Sequence, residues 1–323
     1  IWWLPEPGLE RILSTAPYTA YVKIAEGCEN RCRYCVIPRI RGPYRSRPPE
    51  EIEREVRELV EGGVKEVILV AQDTTAYGID REGRSTLPQL LSRLDRIDGD
   101  FWIRVLYAYP DRVSDELLAV FRGREHLCPY LDLPLQHISG KVLKAMGRRS
   151  TPEGIFRLLE RIRETVPEMA LRTTFILGYP GETEEDFAGL LSFLEVARFD
   201  WVGAFSYYRE EGTPAAALKP QVPPAVRERR RQELLAKQET ITAEKNRALR
   251  GKHLKVLVEK ETAGGWIGRS YREAPEIDGL VRIAPAALPV KPGDFLTVEV
   301  TGAEAYEVYA RVPAAPAEEP AAR

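Results

Sequence analysis

One pattern leaves this chain few folds to choose from. Short apolar runs alternate with amphipathic segments six times between Tyr18 and Tyr207. The runs, rich in Val, Ile, Leu and aromatics, predict strands over Tyr18 to Ala25, Val67 to Ala71, Phe101 to Tyr107, Tyr130 to Leu135, Leu171 to Leu177 and Trp201 to Tyr207. Helices are predicted between them. The first opens on Pro48-Pro49-Glu50-Glu51, with prolines in the first turn and carboxylates at the positive end of the dipole, and ends at Gly62-Gly63. Ile52, Val56, Leu59 and Val60 give it one buried stripe. The others are expected over Leu87 to Ile97, Asp115 to Phe121, Pro152 to Val166 and from a capping box at Thr183 to about Ala197. Strand–helix–strand repetition means parallel strands and right-handed crossovers. Six repeats fall short of a full eight-fold barrel, so the expected fold is α/β: a partial, TIM-like (β/α)6 barrel, open on one side.

The texture then changes. Val222-Pro223-Pro224 breaks the chain, a charged helix is expected over Ala225 to Leu249, and Gly251 ends it. Short alternating strands follow over Leu254 to Glu259, Trp266 to Tyr271, Leu280 to Ile283, Phe295 to Val300 and Tyr306 to Val312. Turns are expected at Gly264-Gly265, Asp278-Gly279 and Pro292-Gly293-Asp294. They suggest a small all-β, OB-like barrel. The expected organisation is a linker at 1–17, the α/β barrel at 18–222, a connecting helix at 223–251, the β domain at 252–312 and a disordered Ala/Pro/Glu tail at 313–323. Trp2 and Trp3 are unusual for a linker and are expected to pack against a preceding domain. A start at Ile1, with no Met, suggests a fragment.

The loop after the first predicted strand holds Cys28, Cys32 and Cys35, three of the four cysteines in 323 residues. Three thiolates can fill three corners of an iron–sulfur cubane and leave the fourth iron open to a small molecule. A structural zinc site needs four ligands, and His126, Cys128 and His137 come about a hundred residues later. A Cys32/Cys35 redox pair would leave Cys28 idle. Clustered rather than paired cysteines fit a reducing cytoplasm. No apolar run approaches bilayer length and no signal peptide is visible. The net charge of −2 gives no general pull toward nucleic acid or anionic lipid.

Other polar groups also fall at the carboxyl ends of the predicted strands, where such barrels gather their chemistry: Gln72 and Asp73, Tyr109, Gln136 and His137, Gly178, and Arg209 to Glu211. Asp73 can alternatively cap the turn that follows it, and Gly178-Tyr179-Pro180-Gly181 can be a simple tight turn. Arg39, Arg41, Arg45 and Arg47 form a basic loop, read equally as solvated surface or as contact with an anionic partner. Arg227 to Arg231 are expected on the solvated face of the long helix, and Cys128 as a small buried apolar residue.

The motif Cys28-x3-Cys32-x-Tyr34-Cys35 resembles that of the radical S-adenosylmethionine (AdoMet) enzymes. Its flanks narrow the resemblance: Glu26-Gly27-Cys28, Ile37-Pro38, Arg45-Ser46-Arg47-Pro48, Gln72-Asp73-Thr74-Thr75-Ala76-Tyr77-Gly78, Pro134-Leu135-Gln136-His137 and Gly178-Tyr179-Pro180-Gly181-Glu182-Thr183. From about Tyr18 to Val312 the chain is similar to the methylthiotransferases, and most to the branch that modifies an aspartate of small-subunit ribosomal protein number twelve. The β domain resembles their TRAM domain. The resemblance implies a 4Fe–4S cluster on Cys28, Cys32 and Cys35 whose open iron takes AdoMet. Tyr34 would lie against the adenine, Gln72 and Asp73 would meet the methionyl amine, and Gln136, Arg172 and Gly178 would serve ribose and carboxylate. A 5′-deoxyadenosyl radical would then attack an unactivated carbon of the substrate, with electrons from a donor such as flavodoxin. The family also implies a preceding domain with a second 4Fe–4S cluster. Only Cys128 remains to ligate one here, so this chain is expected to cleave AdoMet without completing methylthiolation.

The alternatives are the same chemistry on a tRNA adenosine, or a non-enzymatic zinc-stabilised OB binding protein. Between 252 and 312 there are eight Lys and Arg against nine Asp and Glu, a net of −1, which suits a basic protein better than a polyanion. Gln72-Asp73-Thr74-Thr75 and Ala274-Pro275-Glu276-Ile277-Asp278-Gly279 also resemble the protein-modifying branch.

Overall fold

The computed structural model describes residues 13–286 and 288–313. Most of the expected linker at 1–17, with Trp2 and Trp3, and all but the first residue of the expected tail at 313–323 lie outside the described residues. The described chain divides into two compact units with the boundary at Ile241/Thr242.

In the first unit, six parallel strands run in chain order: β1 (Thr19–Lys23), β2 (Glu66–Val70), β3 (Trp102–Val105), β4 (Tyr130–Gln136), β5 (Ala170–Leu177) and β6 (Trp201–Ser206). β1, β2 and β3 form one ladder and β4, β5 and β6 a second. The two meet at a single bridge, Ile103 to Leu127, with the Ala108 amide donating to the Asp132 carbonyl at 2.9 Å. Among the described residues no ladder joins β6 back to β1, so the barrel is partial and open. The helices expected between strands are α1 (Pro49–Glu61), α2 (Leu87–Leu94), α3 (Asp115–Phe121), α4 (Pro152–Thr165) and α5 (Glu184–Ala197). Ile52 and Val56 of α1 are buried, but Leu59 and Val60 only partly so. Thr183 and Asp186 form the expected capping box of α5.

The first predicted strand is shorter than its pattern. β1 ends at Lys23, and Ala25–Glu26 leaves it to pair antiparallel with Arg45–Ser46. This two-residue ladder closes the base of the cysteine loop. The switch is made at Ile24, whose amide donates to the Val70 carbonyl and whose carbonyl accepts from Arg47.

The barrel interior is partly polar. Glu66 of β2 and Arg104 of β3 are fully buried, with Nε to Oε1 at 2.7 Å, and the guanidinium lies 4.6 Å from the centre of the Tyr130 ring. Arg172 of β5 reaches Asp132 of β4 at 3.0 Å. The apolar side chains instead pack between strands and helices, with Val67, Leu69, Leu87, Leu131 and Phe175 among those wholly buried.

α6 (Pro224–Arg247) follows. Its arginines are not all solvated, contrary to the pattern of the sequence. Arg230 is 3% exposed and pairs with Glu182 at 2.7 Å, and Arg227 donates to the carbonyls of Val222 and Tyr207, each at 2.7 Å. A guanidinium's five donors let it satisfy carbonyls and a carboxylate where a charge run alone suggests water. No helix among the described residues is long and apolar enough to cross a membrane.

The second unit holds a closed five-stranded barrel: β7 (His253–Thr262), β8 (Gly265–Ser270), β9 (Leu280–Ile283), β10 (Phe295–Ala303) and β11 (Glu307–Arg311), in the order β8-β9-β11-β10-β7. Val256, Val258, Val281, Val298, Val300 and Val308 fill its core. Closure removes free strand edges, so short strands suffice.

Removing one partner of a buried pair strands the other charge. Arg104→Met is expected to cost about 3–5 kcal/mol in chemical denaturation, and the double change Glu66→Leu/Arg104→Met is expected to recover most of it.

Candidate active site at the carboxyl ends of the strands

The cysteine loop spans residues 27–44 and is fastened mainly by its backbone. Gly27 has φ +85°, and a Cβ there would sit 2.1 Å from the Pro43 carbonyl oxygen, so only glycine fits. Its amide donates to Gln72 Oε1 at 2.6 Å, tying the loop to the end of β2. The Cys28 amide donates to the Gly42 carbonyl across the loop at 3.1 Å, and the Cys35 amide to that of Cys32 at 3.1 Å. Two further segments pack on the loop. The Arg33 amide donates to the Met146 carbonyl at 2.8 Å, and its carbonyl accepts from the Ala215 amide at 3.0 Å. Gly147, at φ +73°, leaves room for the loop: a Cβ there would lie 2.6 Å from the Arg31 carbonyl oxygen.

Asp73 anchors the arrangement. Its side chain is almost wholly buried and accepts from Asn30 Nδ2 at 2.8 Å, Arg112 Nη1 at 2.6 Å, Thr75 Oγ1 at 2.6 Å and the Ala76 amide at 3.1 Å. It thereby caps the 3₁₀ turn Thr74–Ala76. Arg112 Nη1 also reaches Asn30 Oδ1 at 3.0 Å, and Tyr44 Oη donates to the Asp73 carbonyl at 2.7 Å.

These contacts frame a cavity of about 450 Å³, within the range of small-molecule sites. Cys28, Cys32, Tyr34 and Cys35 line it together with Gln72, Tyr109, Gln136 and Arg148. Burial pushes the Cys28 and Cys35 thiols above their ordinary range. No three His, Cys, Asp or Glu side chains among the described residues gather tightly enough to hold one metal ion. A cubane differs from such a site, since it takes its thiolates at separate corners. Tyr34 packs edge-on against Tyr179, with ring centres 6.4 Å apart. Gln136 sits at an irregularity in the β4–β5 register with φ +72°, is buried, and leaves Oε1 without a hydrogen-bond partner. A strained backbone and an orphaned buried acceptor in one cavity wall mark a place built for a ligand donor.

Of the residues singled out in the sequence, Cys28, Cys32, Cys35, Tyr34, Gln72, Tyr109 and Gln136 converge on the cavity. Asp73, Arg172 and Gly178 do not line it. The Asp73 carboxylate is taken up as described, and Arg172 Nη1 is held by Asp132 and Thr174. Gly178 is required for space: its amide donates to Glu182 at 2.7 Å, and a Cβ would lie 2.2 Å from Arg227 Cγ. His137 is fully buried behind the site, with Nε2 3.6 Å from Glu182. In the basic loop, Arg47 is buried against Glu55 and the Lys23 carbonyl, and Arg39 donates to the Gly212 carbonyl. Sequence reasoning missed Asn30, Tyr107 and Arg148 as wall residues. Asn30 lies inside the cysteine motif and could have been suspected. Arg148 arrives from a turn whose one local signal is Gly147.

This fold and a three-cysteine loop at the strand ends define a class. A family profile for the Radical SAM superfamily matches residues 22–194, and one for the TRAM domain matches 251–312. Curated relatives carry the name ribosomal protein uS12 methylthiotransferase RimO. The protein of Thermoanaerobacter sp. (strain X514) is 48% identical over 94% of this chain and 70% of its own length. That of Moorella thermoacetica is 50% identical over 93% of this chain and 68% of its own length. The chain belongs to the radical SAM superfamily and, within it, to the family of these RimO methylthiotransferases. Membership of the superfamily implies a 4Fe–4S cluster and AdoMet. Among solved structures, coproporphyrinogen III oxidase (HemN) of Escherichia coli shares the fold at 20% identity, with a TM-score of 0.52 over 71% of this chain and 54% of that one.

Gly27→Ala is expected to destabilise the first unit by at least about 1–3 kcal/mol, from strain alone, in thermal or chemical unfolding. Gly63→Ala, also at positive φ but with open space around it, is expected to cost less.

Proposed function

We propose that the chain is the AdoMet-cleaving core of a methylthiotransferase whose target is an aspartate β-carbon of ribosomal protein uS12. The observation that carries this reading is one cavity walled by Cys28, Cys32 and Cys35 on one side and by the unsatisfied Gln136 on the other. The donor set fits. Three thiols from one short loop suit a cubane and leave one iron without a protein ligand. The nearby polar groups are neutral amides and an arginine, able to accept from and donate to a polar organic ligand. When bound, the cluster supplies the electron that cleaves AdoMet.

The protein's own part is positioning. Gln72 spends Oε1 on the Gly27 amide and so sets the cysteine loop against the end of β2. Asp73 does the same through Asn30. Both act on the ligand through the loop. Gln136 Oε1 would accept from a hydroxyl or ammonium group of AdoMet, and Tyr34 would lie against its adenine. Ile37, Ala71, Ala108 and Pro134 give the cavity an apolar wall against which the reacting atoms would be desolvated. AdoMet cleavage is the step assigned to the residues of this cavity. A flavodoxin-like donor would supply the electron.

Anaerobic reconstitution with iron and sulfide is expected to give a brown protein absorbing near about 400 nm, from sulfur-to-iron charge transfer. Each of Cys28→Ala, Cys32→Ala and Cys35→Ala is expected to abolish that band and the release of 5′-deoxyadenosine. A colourless wild type, or a variant that keeps the band, refutes the assignment. In a binding comparison, uS12 is expected to compete successfully and tRNA to fail; the reverse ranking would move the substrate to the tRNA adenosine.

A further inference from the structure

Arg148 is 8% exposed, and its neighbours are unusual for a buried cation. Nη2 donates to the Pro134 carbonyl at 2.7 Å, and the guanidinium lies 4.1 Å from the centre of the Tyr109 ring. Nη1 points at Cys32 Sγ, 4.0 Å away. Nε is buried without a partner. Among the described residues no carboxylate pairs with it, whereas the buried Arg104 and Arg230 each have one. Burying an uncompensated guanidinium is strongly unfavourable, so a buried arginine with no carboxylate partner points to an anion nearby. Among the described residues that line the cavity, the only potential anions are the thiolates of the cysteine loop, together with whatever they bind.

We propose that Arg148 is the fixed counter-charge of the cluster held by Cys28, Cys32 and Cys35, and that it makes this cluster easier to reduce. The proposal rests on the cluster reading above. The reasoning is electrostatic. A cubane with three thiolates carries net negative charge, and reduction adds one more. A fixed cation beside one sulfur stabilises the reduced state more than the oxidised one, in a cavity where water screens little. An N–H directed at a ligating sulfur acts in the same direction. Packing on the Tyr109 ring and the Pro134 carbonyl fixes the guanidinium, so little reorganisation accompanies reduction. Arg148 is thus a positioning and tuning residue. It needs no direct contact with the substrate.

The test is a redox titration of the reconstituted cluster, followed by electron paramagnetic resonance, in the wild type, Arg148→Met and Arg148→Lys. With the charge removed, the reduced fraction at a fixed low potential is expected to fall about tenfold, equivalent to ~59 mV for one electron. Arg148→Lys is expected to stay within about twofold of the wild type. If Arg148→Met cannot retain a cluster while its melting temperature is unchanged and Arg148→Lys retains one, the counter-charge role is equally supported. An unchanged potential in Arg148→Met overturns the proposal. So does an equal shift, or an equal loss of cluster, in both variants, since that assigns the effect to shape. A wild type that binds no cluster removes the site reading first, and this inference with it.

Discussion

The site depends on one carboxylate. Asp73 sits where β2 ends, buried, and accepts hydrogen bonds from the cysteine loop (Asn30), from the turn after β3 (Arg112) and from its own turn (Thr75 and Ala76). Three chain segments far apart in sequence are thereby brought into register at one point. A buried carboxylate is costly unless its lone pairs are filled, and here four donors fill them. Pairing with Arg112 at 2.6 Å balances its charge. The Gly27–Gln72 bond, one residue earlier on the same strand end, sets the other side of the cysteine loop. Two successive residues thus carry the mechanical connection between barrel and loop.

Much of the barrel was legible because its signals are local. A parallel strand buried on both faces is largely apolar, as Val67 to Val70 is, and a helix between sheet and water must be amphipathic, as α1 is. The cysteine loop was legible because its spacing is chemical rather than conformational. What escaped detection came from tertiary placement. Nothing near Arg148 says that its guanidinium will lie on a ring contributed by Tyr109 and beside a sulfur more than a hundred residues earlier. Arg230 looked solvated within its charge run, and Glu182, the partner that buries it, lies on a different element. Gly178 read as a ligand-facing residue, with a tight turn as the alternative. Its spatial reason, the Arg227 side chain, belongs to α6.

The division of labour inside the barrel follows from charge. Low in the strands, acids and bases are matched one to one: Glu66 with Arg104, and Asp132 with Arg172. At the carboxyl ends Asp73 and Arg112 are still matched, but in the cavity wall the matching stops. The cavity wall there has thiols, amides, aromatic rings and one guanidinium, with no carboxylate among its lining residues. Paired charges hold strands in place and leave nothing over for a ligand. Unpaired polar groups are unfavourable to the empty protein, and that same energy becomes available to a guest that completes them.

The bridge at Ile103 and Leu127 is the thinnest join in the run of six strands. Elsewhere continuous ladders hold neighbours together, whereas here one bridge, a few hydrogen bonds and the Arg104–Tyr130 contact join the strands. The cavity straddles that seam: its cysteines and Gln72 belong to one three-stranded half, and Pro134, Gln136 and Arg148 to the other. A guest touching both walls would act as a clasp, adding cohesion at the weakest point of the fold, and the protein that has swallowed its cofactors should be stiffer along this line than the one that has not.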